Sequence, residues 1–333
     1  MNRITGILHA LSIGDAFGAG VEFQDRDWIR VNVDFTHFVN ARHRIQIEEE
    51  RRAIFTENYC AWDYTDDTEM TVGLVKALMA EEPFTEELLI RKWQDEYKDG
   101  IRRKGHGRNG HGSMRWYYDG EKTIEEIRDF QRNRPNPGNA PAMRAVPLGL
   151  LPGNLINEYA AVNARATHPH PHAVMSSQIV ARAAHHFLLI DGAATDAFGY
   201  CLRSVELDQE FQDYLLAVNG LPRYDQLTKA DFAVLCGPQP ISAPYFLPGI
   251  RGVPSDSKYT AGCILYVLRE SESAFDALQK SVKLGGDVDS VAAVTVGILA
   301  GKHGLHDLPG FLLSATEAIP NLMDLRMPDY RKS

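Results

Sequence analysis

Apolar residues recur along this chain at the three- and four-residue spacing of helices buried on one face, and alternating patterns are few. Ile4, Ile7, Leu8 and Leu11 start one such run, Met70, Leu74 and Leu78 a second, and Leu88, Leu89 and Trp93 a third. The stretches "TIEEIRDFQ", "AMRAVPLGLL", "HAVMSSQIVARAAHHFLLI", "DQEFQDYLLAV", "KADFAVLC", "AGCILYVLRE", "SAFDALQKSVKL" and "DSVAAVTVGILAGKHG" continue the pattern. So many helices with so few strands predict an all-α, multi-helix bundle. At 333 residues and 44% hydrophobic content the chain can bury a large core, and it is read as one domain over residues 1–333. Two insertions interrupt the helical pattern. The first, about 23–60, contains "RVNVDFTHFVN", whose alternation predicts a hairpin; the second, about 237–258, is rich in Pro and Gly and predicts irregular chain.

A net charge of −9 argues against a basic nucleic-acid-binding surface and against an anionic membrane surface, which leaves a small substrate or a protein partner. Cys60, Cys201, Cys236 and Cys263 are scattered, without the paired spacing of a zinc site or a disulfide framework, and fit a reduced cytoplasm. "MNRITGILHALSIGDAFGAG" is too short and too broken by Asp15 and glycines to span a bilayer, and reads as a buried helix.

Chemistry concentrates at two helix entrances. In "WDYTDDTEMTV", Thr65, Asp66 and Asp67 head an apolar-periodic run. Capping accounts for one such residue, since a threonine or aspartate there accepts from free N–H groups. The other reading is a cation, because converging carboxylates and hydroxyls are the hard oxygen ligands of magnesium or manganese. "KLGGDVDSVAAVTVGILAG" repeats the arrangement: Asp287, Asp289 and Ser290 follow two glycines and open an almost wholly apolar helix. Glycines there admit unusual backbone angles and close approach, and buried carboxylates are costly without a positive partner. If the two turns face one another, their six residues could hold two divalent ions about 3.5–4 Å apart. A prenyl-diphosphate enzyme would want a further acid where Met70 stands, and a phosphatase of the haloacid-dehalogenase kind would want a strand where "DALQKSVKL" reads as helix.

These stretches, with "GILHALSIGDAFGAGVEF", "GNAPAMRAVPLGLL" and "ATHPHPHAVMSSQIVARA" in the same order, resemble the ADP-ribosylglycohydrolase family from about Gly6 to Gly304. The resemblance implies an orthogonal helical bundle with a binuclear Mg2+ or Mn2+ centre that cleaves the N- or O-glycosidic bond between ADP-ribose and an acceptor. It implies Thr65, Asp66, Asp67, Asp287, Asp289 and Ser290 as metal ligands, with serine where threonine is commoner. Glu22 matches a family glutamate near the ribose and becomes the candidate for proton transfer, with Asp66 and Asp289 as rivals for orienting water. Gly138 and Asn139 match a phosphate-cradling loop and His168 a histidine near the substrate, while Asp15 reads as a cap or supporting partner. Ala140 and Pro141 depart from the family's more flexible pair, and the 23–60 insertion bears on acceptor choice. The expected partner is an ADP-ribosylated protein, with arginine linkage favoured, or an ADP-ribosyl small molecule. The contrasting reading is a catalytically silent ADP-ribose-binding protein of the same fold.

Overall fold

Two helices of opposite ends of the chain are apolar around their whole circumference, so both must lie inside the molecule. The computed structural model describes residues 2–41, 60, 62–104, 111–243, 245 and 248–329. Among these described residues there are sixteen α-helices, joined in places by short 3-10 turns. The first part holds α1 (Arg3–Ala19), α2 (Arg26–Asn32), α3 (Asp66–Leu78), α4 (Glu86–Lys104), α5 (Met114–Tyr118), α6 (Ile124–Arg132) and α7 (Ala140–Met143). There follow α8 (Ile156–Arg165), α9 (Pro171–Leu188), α10 (Ala197–Ser204), α11 (Gln209–Asn219), α12 (Lys229–Cys236), α13 (Ser257–Glu270), α14 (Ala274–Val282), α15 (Asp289–His303) and α16 (Gly310–Ala315).

The all-apolar pair is α1 and α15, which form the most extensive helix–helix contact. Small residues allow it. A Cβ on Gly14 would stand 2.4 Å from the Ala292 carbonyl oxygen, and one on Gly18 2.5 Å from Asp289 Cα. The α1 backbone therefore runs directly against the first turns of α15, and the chain leaving α1 brings Glu22 to Asp287 and Asp289. Around this pair, α14 packs on α15, α3 packs on α4, and α9 is flanked by α8 and α13. Trp93 of α4 donates its indole N–H to the Met70 carbonyl at 2.9 Å, tying α4 to α3. A continuous buried cluster drawing on most of the helices forms the main core.

Among the described residues the only pairings of strand type are two isolated bridges, Gln24 with Gly286 and Val253 with Gly286. The expected hairpin in "RVNVDFTHFVN" is absent over these residues. Asp25 caps α2 by accepting from Asp27 N, so Arg30, Val31 and Asn32 are helical. The alternation of Val33 and Phe35 with exposed Asp34 and Thr36 has a different cause: single residues turn inward, and Phe35 stacks on Phe17 at 5.4 Å. Residues 42–59 of that insertion lie outside the described residues. "AMRAVPLGLL" is also interrupted, becoming one turn of α7 and a 3-10 turn over Val146–Leu150, because Pro147 has no N–H to continue an α-helix. Pro171 does the opposite in "ATHPHPH": at the first helical position it starts α9, with His170 as the cap.

Candidate active site

Thr65 is the N-cap of α3, accepting from Asp67 N at 3.2 Å. A second cap comes from α1. Asp15, fully buried, accepts from Thr65 N at 2.9 Å and Thr68 N at 3.0 Å, and from the hydroxyls of Thr65 at 2.8 Å and Thr68 at 2.6 Å. With Asp15 and Thr65 satisfying the helix entrance, Asp66 and Asp67 are not needed as caps. Both are buried.

The opposing turn is shaped by its glycines. Gly285 and Gly286 have φ of +73° and +76°, and a Cβ on Gly286 would lie 2.2 Å from the Val253 carbonyl oxygen. Gly286 is held between two chain segments: Gly286 N donates to Gln24 O, Phe23 N donates to Gly286 O, and Asp287 N donates to Val253 O. Asp287 and Asp289 emerge from this knot buried, at 4% and 1% exposure. The carboxylate oxygens of Glu22, Asp287 and Asp289 can lie within 4.8 Å of one another.

The two turns meet. Ser290 lies close enough to Asp67 to favour its ionised form, and the Asp289 charge acts on both Asp66 and Asp67. Asn139 spans the gap from a third direction, its Nδ2 3.3 Å from Asp287 Oδ2, 3.2 Å from Ser290 Oγ and 3.3 Å from Thr260 Oγ1. Burial, then the Asp289 and Asp15 charges, drive Asp66 and Asp67 well above the usual carboxylate range. Burial and the Glu22 charge push Asp287 up to about 6. A crowd of buried carboxylates that resists its own ionisation is what a cation site looks like before its cation is counted. Asp67 Oδ1 adds a specific test of fit, because it is buried and accepts no hydrogen bond. Every donor in the group is a carboxylate, hydroxyl or amide, which suits a hard divalent cation.

The predicted substrate residues lie alongside. A Cβ on Gly138 would stand 3.0 Å from His168 Nε2, so these two residues are neighbours, and Asn139 reaches from the same loop into the acidic centre. Alpha7 offers a single turn after Asn139. Sequence reasoning gave Thr68, Thr260 and Arg144 no part. Arg144 is the least visible of them: wholly buried, it donates to Asn163 Oδ1 at 2.7 Å and Thr167 Oγ1 at 2.8 Å, and lies over the Trp93 ring at 3.8 Å. Burial lowers its pKa to about 9 against the raising charges of Tyr118, Asp66 and Asp67, so it stays cationic at neutral pH. The signal for it was an arginine inside the apolar stretch "AMRAVPLGLL", where a charge must find buried partners. Glu69 was also passed over; its Oε2 is 2.9 Å from His111 Nε2, which ties the first turn of α3 to the chain entering α5.

A sequence model of the family described as ADP-ribosylglycohydrolase matches residues 1–330. The human protein ADP-ribosylhydrolase ARH3 is 25% identical over 330 residues, covering 93% of this chain and 87% of its own length. ADP-ribosylhydrolase ARH3 of Bos taurus is 25% identical over 339 residues with the same coverage. Among solved structures, a chain of an "ADP-ribosylglycohydrolase-related protein complex" aligns over 97% of this chain and 94% of its own, with a TM-score of 0.61 and 20% identity, a likeness of fold.

Proposed function

The chain belongs to the ADP-ribosylglycohydrolase family and is a glycosyl hydrolase, and from that premise we infer that it releases ADP-ribose from a modified protein side chain with the help of two divalent cations. What supports the metal reading is the meeting of two acidic turns more than two hundred residues apart, with Asp67 Oδ1 left without a hydrogen bond in the buried space between them. Thr65, Asp66 and Asp67 from α3 and Asp287, Asp289 and Ser290 from the other turn would hold the ions. Divalent cations there would supply Lewis acidity and offset the crowded carboxylates.

The remaining work falls to the chain. Scission at the anomeric carbon passes through an oxocarbenium-like state, which requires an oriented sugar, a placed water and a proton for the departing group. Glu22 stands within reach of the Asp287 and Asp289 oxygens at the edge of the acidic centre and is the residue to move that proton. Asp66 and Asp289 are the rival candidates to orient the water. Asn139 holds Asp287 and Ser290 in register, and Gly138 leaves room beside His168 for the diphosphate. Magnesium and manganese are the cations to try first, and arginine linkage is the first acceptor to try.

The test is release of free ADP-ribose from arginine- and serine-linked substrates side by side, with Mg2+, with Mn2+ and with a chelator. Release that needs metal and is lost in Glu22→Gln supports the reading. Tight binding of ADP-ribose without turnover on any linkage, or full turnover after exhaustive chelation, overturns it.

A further inference from the structure

Beside the acidic centre stands a histidine with one ring nitrogen committed and the other open. Thr167 Oγ1 lies 2.7 Å from His168 Nδ1, and His168 is 5% exposed. The same hydroxyl oxygen accepts from Arg144 Nη2 at 2.8 Å. Arg144 is itself fixed by Asn163, donating from Nε to Oδ1 at 2.7 Å and from Nη2 to the carbonyl at 3.0 Å. A guanidinium only donates, so one lone pair of the Thr167 hydroxyl is taken. The hydroxyl's single proton then finds its acceptor at His168 Nδ1, which places the imidazole proton on Nε2. Burial, with Arg144 and Arg134 adding to it, holds the His168 pKa well below its ordinary value, so the ring is neutral and has one proton to place. His168 Nε2 has no hydrogen-bond partner among the described residues and faces the space that a side chain on Gly138 would fill, 3.0 Å from that Cβ position.

We propose that Thr167, oriented by Arg144, is a positioning residue that fixes His168 as its Nε2–H tautomer, so that the ring donates a hydrogen bond to a substrate oxyanion beside Gly138. The inference rests on the ADP-ribose reading, in which the diphosphate supplies that oxyanion. The tautomer decides the sign of the contact. With the proton on Nε2 the ring attracts a phosphate oxygen; with the proton on Nδ1 it would present a lone pair to the same oxygen. Neutrality also matters, because a donor that carries no charge can select an anion without drawing on the buried carboxylates nearby.

The experiment reads the proton directly. The full chain is labelled with 15N in its imidazole rings, the His168 signals are identified by their loss in His168→Gln, and two-bond 1H–15N correlations are recorded without substrate or metal. Wild type is expected to carry the proton on Nε2, and Thr167→Ser, which keeps the hydroxyl, to match it. Thr167→Val is expected to shift the ring toward Nδ1–H and, in steady state with Mn2+, to raise KM for the ADP-ribosylated substrate about tenfold with kcat within about twofold. A wild-type ring with its proton on Nδ1 overturns the proposal without reference to any variant. So does a folded Thr167→Val protein that keeps both the Nε2–H signature and the wild-type KM. Absence of turnover on any linkage counts against the ADP-ribose reading, while the spectrum still decides the tautomer.

Discussion

Asp287→Asn isolates the energetic strain of the acidic centre. Burial and Glu22 raise the Asp287 pKa to about 6, whereas an aspartate in the unfolded chain titrates near 3.9. A raised carboxyl pKa means that the folded state prefers the protonated form. Its penalty is absent below about pH 4, grows between about pH 4 and pH 6, and is fully present above that, at about 3 kcal/mol. The Glu22 charge alone is of the right size, because two carboxylates at 4.8 Å repel by about 3 kcal/mol at an effective dielectric constant near 20. Asparagine keeps an oxygen to accept from Asn139 Nδ2, now 3.3 Å from Asp287 Oδ2, and removes the charge. Thermal unfolding in chelator at about pH 7 should therefore show the variant more stable by up to about 3 kcal/mol, or about 4 °C for a chain of 333 residues. At about pH 4 the two proteins should melt together. Manganese at a thousandfold excess over its Kd should return about 4 kcal/mol to the wild type and little to the variant, inverting the order. A variant no more stable than wild type in chelator at pH 7, or a gap unchanged at pH 4, would refute the reasoning.

Gly286→Ala should cost about 3 kcal/mol or more and abolish manganese binding by calorimetry, because its Cβ would meet the Val253 carbonyl at 2.2 Å and φ is +76°. Asp15→Ala strands the N–H groups of Thr65 and Thr68 in the interior and should lower the urea midpoint by the equivalent of about 3 kcal/mol, with Asp15→Asn milder because one acceptor oxygen survives. Asn139→Asp places another carboxylate about 3.3 Å from Asp287 Oδ2; the melting temperature in chelator should fall at pH 7 and recover with Mn2+.

The fold was readable where burial imposed a period. The runs at Leu8, Leu74 and Trp93 lie in α1, α3 and α4 as their spacing predicts. Where structure depends on distant neighbours, the sequence was less informative. Val33 and Phe35 alternate without a strand partner, since the aromatic ring of Phe17 rather than a ladder draws Phe35 inward. Alpha8 was passed over because its small apolar residues, Ala160, Ala161 and Ala164, give a weak pattern while packing closely against α9. Both acidic turns could be seen from their carboxylates, and the glycines before Asp287 announced a close backbone approach that the structure displays. The Asp15 cap reading agrees with its four hydrogen bonds. The chain Asn163, Arg144, Thr167, His168 was not legible, because its members are polar residues at no regular spacing whose relation exists only once α7 and α8 pack.

The backbone contact of α1 with α15 has a bearing on how the protein comes into being. Gly14 and Gly18 are synthesised more than 250 residues before the Ala292 and Asp289 backbone they press against. A nascent chain cannot assemble the acidic centre before the first turn of α15 has been synthesised, so the site depends on contacts of very large sequence separation.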